Sequence, residues 1–336
     1  MHPALLGLLT VAIGVGGCIG YFYGANLFLD KVLFPAKGPN AGRNINRANQ
    51  IRPWLFLFPA ILALGLYLAY PVFATLRLSF LERLPGNEYA FVGLENYTQM
   101  FAEPKFREAM INNVLWLIVV PAAATGFGLL AAQLTDRLWW GNIAKSIIFM
   151  PMAISLVGAA VIFKLVYEAR PEDVAQIGIL NHLYLNYFGG VEPQQWLTIP
   201  FLNNFFLMIV LIWIQTGFAM VILSAALRGI PEETVEAAII DGANPFQIFF
   251  KIKIPQIMST IVVVWTTITI ATLKVFDIVF AMTNGQWETQ VLANYMYDKL
   301  FRANDWGMGS AAAMIIMLMV TPILVWNVQN ARKEMR

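Results

Sequence analysis

Side chains able to do chemistry are few in this chain of 336 residues. Its single cysteine, Cys18, allows no internal disulfide, and with His2 and His182 as the only histidines there is little to build a zinc or haem site. Lysine nowhere follows glycine directly, so the phosphate-cradling loop of an ATPase is missing. Neither a His-Glu-x-x-His run nor a Gly-x-Ser-x-Gly turn occurs, which leaves no zinc protease or serine hydrolase to assemble. What remains is a scatter of polar groups inside long apolar runs: Ser155, Trp213, Gln215, Thr216, Thr266, Thr267 and Thr269. Hydroxyls, an amide and an indole face can hold a polar solute by hydrogen bonds and stacking. The same groups also serve structure, since Ser and Thr bond back to their own helix and a Gln joins two helices. Gln215 stands out because its whole amide is set in the middle of an apolar run. Lys274 and Asp277 are three apart, which makes them neighbours on one helix face and fits an ion pair, snorkelling or a solute contact.

The runs that carry these groups are too apolar for water. Of the chain, 59% is hydrophobic and 12% charged, against roughly 25% charged in soluble domains. No soluble core of this size hides so much apolar surface, which excludes a cytosolic enzyme, a disordered chain and a disulfide scaffold. Seven stretches, 4–29, 54–80, 110–134, 145–167, 203–227, 257–280 and 306–328, are long enough to cross a bilayer as helices. Helices they must be, because lipid satisfies no free backbone groups and no alternating barrel pattern is present. The expected fold is an all-α integral membrane protein with seven transmembrane helices. Residues 1–53 supply one extra helix and a basic linker, and residues 54–336 a six-helix core.

Loop charge sets the direction of the spans. With the 30–53 segment inside, that side gathers Lys31, Lys37, Arg43, Arg47, Arg52, Arg137, Lys145, Arg228, Lys251, Lys253, Arg332, Lys333 and Arg336. The inner side then holds 13 of 22 basic and 7 of 20 acidic residues, and the outer side 9 and 13. The N-terminus is therefore expected outside and the C-terminus inside. A net charge of +2 gives no field for a nucleic-acid partner, and membrane lipid is the surrounding medium. Val15 to Cys18 loosely matches a lipoprotein processing box, but no Lys or Arg precedes Lys31, so the first helix is expected to be retained. Its Gly14, Gly16, Gly17 and Gly20 fit a close helix-packing face, or simply the glycine content of membrane helices.

One inner loop, Arg228 to Pro255, reads as two short helices and a hinge. Pro231 suits a first helical turn, and Glu232 and Glu233 complement the positive end of the helix dipole. Ala237 and Ala238 keep one surface thin, Asp241 precedes the helix-ending Gly242 and Ala243, and Asn244 caps a second helix that Pro245 opens. Phe246, Phe249 and Phe250 are apolar anchors for a bilayer interface or a partner's groove, and Pro255 is expected to break the chain before the next span.

Glu236-Ala237-Ala238, Asp241-Gly242-Ala243, Phe249, Ile252 and Pro255 resemble the EAA coupling loop of membrane subunits in bacterial ATP-binding cassette importers, in the form found in the carbohydrate (maltose-type) permeases. Ile254 stands where that family commonly has Leu. Trp213, Gly217, Ile230-Pro231 and Asp277 with Thr283 to Gly285 extend the likeness over most of 54–336. Met150 to Gly158, Ile214 to Met220 and Lys274 to Gly285 look closer still to the α-glucoside permeases. The resemblance implies a sugar-translocating subunit that is not itself an enzyme. It would work by alternating access with a second permease, two ATPase subunits that bind ATP and Mg, and a periplasmic or extracellular sugar-binding protein. It further implies that Glu236 makes an ionic contact with the ATPase, that Ala237 and Ala238 permit close approach, and that Gly242 sets the bend. The competing class is an ion-coupled secondary transporter or channel acting alone. Outside the Lys274 and Asp277 pair, no mid-span charged residue is present to complete a proton relay.

Overall fold

A computed structural model describes residues 3–86, 88–136 and 138–334, with side chains for all of these except Pro3, Asn327, Val328 and residues 330–334. His2, Arg137 and Arg336 lie outside the described residues, as do the side chains of Arg332 and Lys333. The chain divides into two compact units, Met1–Ala74 and Thr75–Arg336.

The first unit holds α1 (Pro3–Phe28), a π-helical turn at Leu29–Leu33, and α2 (Ala41–Leu64), which runs through a second π turn into α3 (Tyr70–Leu78), and the division falls within α3, after Ala74. With no Gly or Pro between Arg43 and Arg52 to stop it, α2 starts well before residue 54, so Arg43, Arg47 and Arg52 are helical rather than part of a loose linker. Within the unit Arg52 pairs with Asp30 at 2.6 Å, the Tyr21 hydroxyl donates to the Leu55 carbonyl at 2.8 Å, and Phe22 stacks on Phe56 at 5.3 Å. Gly14, Gly16, Gly17 and Gly20 have no atom within 4 Å of where a Cβ would sit, so they form no close packing face among the described residues.

After the end of α3 the second unit continues with a hairpin of β1 (Leu81–Arg83) and β2 (Tyr89–Phe91), antiparallel with Leu81 opposite Phe91. Then come α4 (Glu95–Ala102), α5 (Pro104–Thr135), α6 (Gly141–Phe149), α7 (Leu156–Val166), α8 (Ile179–Tyr187) and α9 (Leu202–Arg228). They are followed by α10 (Glu232–Ile240), α11 (Pro245–Gln247), α12 (Ile254–Gln256) and α13 (Met258–Leu273). The chain closes with α14 (Asp277–Met282), α15 (Leu292–Tyr297) and α16 (Trp306–Glu334). The central pair is α5 with α9, side by side and parallel, and the main apolar core lies along it, with Trp116, Val120, Leu207, Leu211, Met220 and Leu223 buried. Close approach depends on Gly128, where a Cβ would fall 2.4 Å from the Ala219 Cβ and 2.9 Å from the Met220 amide nitrogen. A second core gathers Met100, Phe106, Ala109, Leu292, Tyr295 and Met308 near the start of α5.

Among the described residues, five helical runs are long and apolar enough to cross a membrane: Ala4–Leu33, Ala41–Leu78, Pro104–Thr135, Leu202–Arg228 and Trp306–Trp326. Two of the seven expected spans are not single straight helices. Gly141–Ala153 meets Leu156–Val166 at 104°, and Pro245–Gln256 meets Met258–Leu273 at 73°. The first bend comes from a 3-10 turn at Met150–Ala153 that contains Pro151, followed by extended Ser155, which caps α7 by accepting the Gly158 amide at 3.1 Å. The 257–280 stretch is also split. The amides of Lys274 and Val275 fold back in tight turns onto Ala271 and Thr272 at 3.3 and 3.1 Å, Phe276 leaves helical geometry, and α14 starts afresh at Asp277. Lys274 and Asp277 are thus not neighbours on one helix face.

Candidate functional site

The segment after α9 is built by its own sequence. Pro231 stands at the N-cap of α10, one residue earlier than a first-turn position, with Glu232 and Glu233 in the first turn behind it. Ala238 turns inward and is buried, while Glu236, Ala237 and Asp241 are exposed. The helix ends in a Schellman arrangement: the Gly242 amide donates to the Ile239 carbonyl at 3.0 Å and the Ala243 amide to the Ala238 carbonyl at 2.9 Å. Gly242 has φ +78°, a conformation in which a side chain is strained. Asn244 then forms a capping box with Gln247, with reciprocal bonds of 2.8 and 2.9 Å, and Pro245 opens α11. Pro255 does not break the chain. A π-helical turn at Ile248–Lys253 carries the run into α12, and the bend falls after it, at Ile257. The wider turn gives room for a ring that would otherwise press on the carbonyl one turn back.

This segment displays apolar side chains and carboxylates together. Ile240, Phe246 and Phe250 are exposed, Ala243 and Phe249 are half-buried, and Phe249 meets Phe250 edge-on at 5.1 Å. A cavity of about 220 Å³ lies between Leu130 and Leu134 of α5 and Pro245, Phe246, Phe249 and Phe250. A larger one of about 530 Å³ is lined by Gln133, Asp136, Arg228, Glu232, Glu236 and Lys253, among others. At its wall Asp136 accepts from Lys145, from the Ser224 hydroxyl at 3.0 Å and from Arg228 at 3.0 Å. Burial on its own raises the Asp136 carboxyl, but the hydrogen bonds from Lys145, Ser224 and Arg228 outweigh it and hold the group below its ordinary value.

The polar groups within the spans are dispersed. Thr266 and Thr267 both donate to the Val263 carbonyl at 3.0 and 2.8 Å, Thr269 donates to Trp265 at 2.7 Å, and the Ser155 hydroxyl is spent on its cap. Trp213 is half-buried on α9 and meets Phe163 of α7 edge-on at 5.4 Å. Gln215 and Thr216, also half-buried on α9, make no side-chain hydrogen bond among the described residues. Lys274 is exposed and lines an apolar cavity of about 350 Å³ with Phe276, Met296, Tyr297 and Ile316; Asp277 is half-buried with no ion pair among the described residues. No group of three or more His, Cys, Asp or Glu side chains is placed to hold a metal among the described residues.

Two sets of residues escape a reading of the sequence. One is Asp136 with its three donors. The other is a set of asparagines at the starts of α5 and α9 that clamps the 287–292 backbone. Asn112 donates to the carbonyls of Glu288 and Gln290, both at 2.9 Å, Asn203 to Trp287, and Asn204 to Glu288 at 3.1 Å. Asn113 accepts from the Leu292 amide at 2.8 Å. The held loop carries Trp287 and Glu288 at φ +54° and +61°. The signal was the doubled Asn112-Asn113 and Asn203-Asn204 at the heads of apolar runs, because buried amides there must find partners.

A family model described as "Binding-protein-dependent transport system inner membrane component" matches residues 124–333. The chain is 60% identical to the alpha-glucoside transport system permease protein AglF of Rhizobium meliloti (strain 1021), over 99% of both chains. It is 45% identical to the osmoprotective compounds uptake permease protein GgtC of Synechocystis sp., over 83% of this chain and 99% of that one. Its fold is similar to a solved bacterial ABC transporter involved in the import of the acidic polysaccharide alginate, with a TM-score of 0.72, 20% identity, and coverage of 87% of this chain and 98% of that one. Glu236 and its neighbours lie inside the matched region. The chain therefore belongs to the binding-protein-dependent inner-membrane components: it is a multi-pass permease subunit of an ABC importer, of the carbohydrate-permease family, with ATP hydrolysis left to separate ATPase subunits.

Proposed function

We propose that this subunit translocates α-glucosides across the bacterial inner membrane by alternating access, driven by partner ATPases through the 232–254 loop. The observation that carries the substrate class is 60% identity along the whole length of the AglF relative. In this reading the N-terminus lies outside and the C-terminus inside, as the charge asymmetry of the loops requires. Residues 1–53 are an addition to a six-helix core at 54–336. GgtC, matched over 99% of its own length, covers 83% of this chain, and what is left over is about the length of that addition.

The chain works with a second permease, two ATPase subunits holding ATP and Mg, and an external sugar-binding protein. Glu236 makes the ionic contact with the ATPase. Ala237, Ala238, Asp241, Gly242 and Ala243 shape the docking surface, and Phe246, Phe249 and Pro255 anchor its second half. The solute path runs past Trp213, Gln215 and Thr216, with Ser155, Thr266, Thr267, Thr269, Lys274 and Asp277 along its walls. Gln215 leads this set because its half-buried amide has no hydrogen-bond partner among the described residues.

Uptake of labelled maltose, sucrose and trehalose by the reconstituted complex tests the substrate. Saturable, ATP-dependent uptake of these sugars, and none of the β-linked lactose, is expected. Uptake of osmoprotective compounds with exclusion of all three would move the chain to the class of its GgtC relative.

A further inference from the structure

The coupling helix α10 is joined to α9 by only Gly229, Ile230 and Pro231. Whatever displaces α10 therefore acts first on the last turn of α9, where Ser224 and Arg228 lie one turn apart on the same face. Both bond to Asp136 at the end of α5, and Asp136 also takes Lys145 of α6. One carboxylate thus ties together the ends of three helices. The Lys145 arm is the firm one, with side chains 15% and 19% exposed for Lys145 and Asp136, whereas Arg228 is 60% exposed. An exposed arm contributes little on its own, but a carboxylate facing two cations in a shielded position is costly to remove.

Two turns along α9 from Ser224, toward its start, the same helices meet again without room for a side chain. A Cβ on Gly217 would lie 2.6 Å from the Ile148 carbonyl oxygen and 3.0 Å from the Phe149 Cα. Gly128 meets Ala219 and Met220 at the same level. So α5, α6 and α9 are fastened at two heights, and α6 leads directly from the upper fastening into the 3-10 turn at Met150–Ala153 and the 104° bend.

From this geometry we propose that Asp136 is a positioning residue for energy coupling: it makes α5, α6 and α9 move as one body, so that displacement of α10 reaches the broken span at 150–155. The role rests on the coupling reading of the 232–254 loop. No neighbour of Asp136 is called on to move a proton or touch the solute. Among the described residues, the charged groups around it are Lys145, Arg228, Glu232, Glu236 and Lys253.

The test uses the whole complex in proteoliposomes and measures sugar imported per ATP hydrolysed, together with stimulation of ATP hydrolysis by the sugar-loaded binding protein. Asp136→Asn keeps the shape and removes the charge. The expected result is assembly in normal yield, with the import-to-hydrolysis ratio lowered at least about fivefold, the lower end of typical site-to-site coupling. Asp136→Glu should recover most of it. Arg228→Gln, which cuts only the exposed arm on α9, should lower the ratio in the same direction and serves if Asp136→Asn fails to assemble. An unchanged ratio in whichever of the two variants assembles overturns the proposal, because a merely structural role would lower yield and leave the ratio alone. Glu236→Lys is run in parallel. If it leaves uptake intact, the coupling reading itself falls; if it uncouples while Asp136→Asn keeps the normal ratio, only the role of Asp136 falls.

Discussion

Glu236 is exposed on the rim of the 530 Å³ cavity, next to exposed Ala237, whose small side chain leaves the helix surface thin, while Ala238 faces inward. A carboxylate held out in this way is available to a cation on another subunit. Glu236→Lys should abolish transport and transport-linked ATP hydrolysis while leaving the amount of inserted protein unchanged, as read by uptake, phosphate release and immunoblot. Asp136 behaves differently, since its partners lie within the chain. Its carboxyl is held below the ordinary value of 3.8. A depressed acid contributes stability that is complete above its unfolded pKa and disappears as pH falls through the lower folded value. Thermal unfolding of the solubilised protein should therefore lose less between about pH 6 and pH 3 in Asp136→Asn than in the native chain. At neutral pH the variant should be less stable by about 1–3 kcal/mol.

At the scale of elements, glycine placement decides how helices meet. Gly217→Val drives a side chain into the Ile148 carbonyl at the end of α6, and overpacking of this kind costs about 1–3 kcal/mol. A lowered melting temperature in detergent, with the far-ultraviolet helix signal retained, is the expected outcome. Gly242→Asp strains the hinge of the proposed coupling segment at φ +78° by about 1–2 kcal/mol. Nothing lies within 4 Å of its missing Cβ, so packing is spared and the loss should show in coupled ATP hydrolysis rather than in insertion. These elements were unequally legible. Long apolar runs such as Leu202–Arg228 are read from composition, because lipid leaves the backbone no alternative to a helix. The hinge at Gly242 and the cap at Asn244 are local chemistry and are equally plain in the chain. The 104° bend is not, because hydropathy averages across Pro151 and Ser155. Nor is the break at Val275, which no Gly or Pro announces. Asp136 is one more acid in a short loop as far as the sequence goes, because its three donors come from α6 and α9, 9 to 92 residues away, and only the fold brings them together.

At the scale of the molecule, the chain has the structure of a device driven from outside itself. It carries exposed apolar side chains at Ile240, Phe246 and Phe250 beside Glu236 on a hinged segment, and a parallel α5 and α9 pair that links that segment to the clamped loop at 287–292. Its charged residues lie at the ends of the apolar runs rather than along a relay through them, which separates it from an ion-coupled carrier. Reconstitution distinguishes the two most directly. The chain is incorporated into proteoliposomes alone and together with its partner permease, ATPases and sugar-binding protein, and α-glucoside uptake is measured with either ATP or an imposed ion gradient. Uptake only in the full assembly, only with ATP, and lost in Glu236→Lys is the predicted result. Gradient-driven uptake by the chain alone would contradict it.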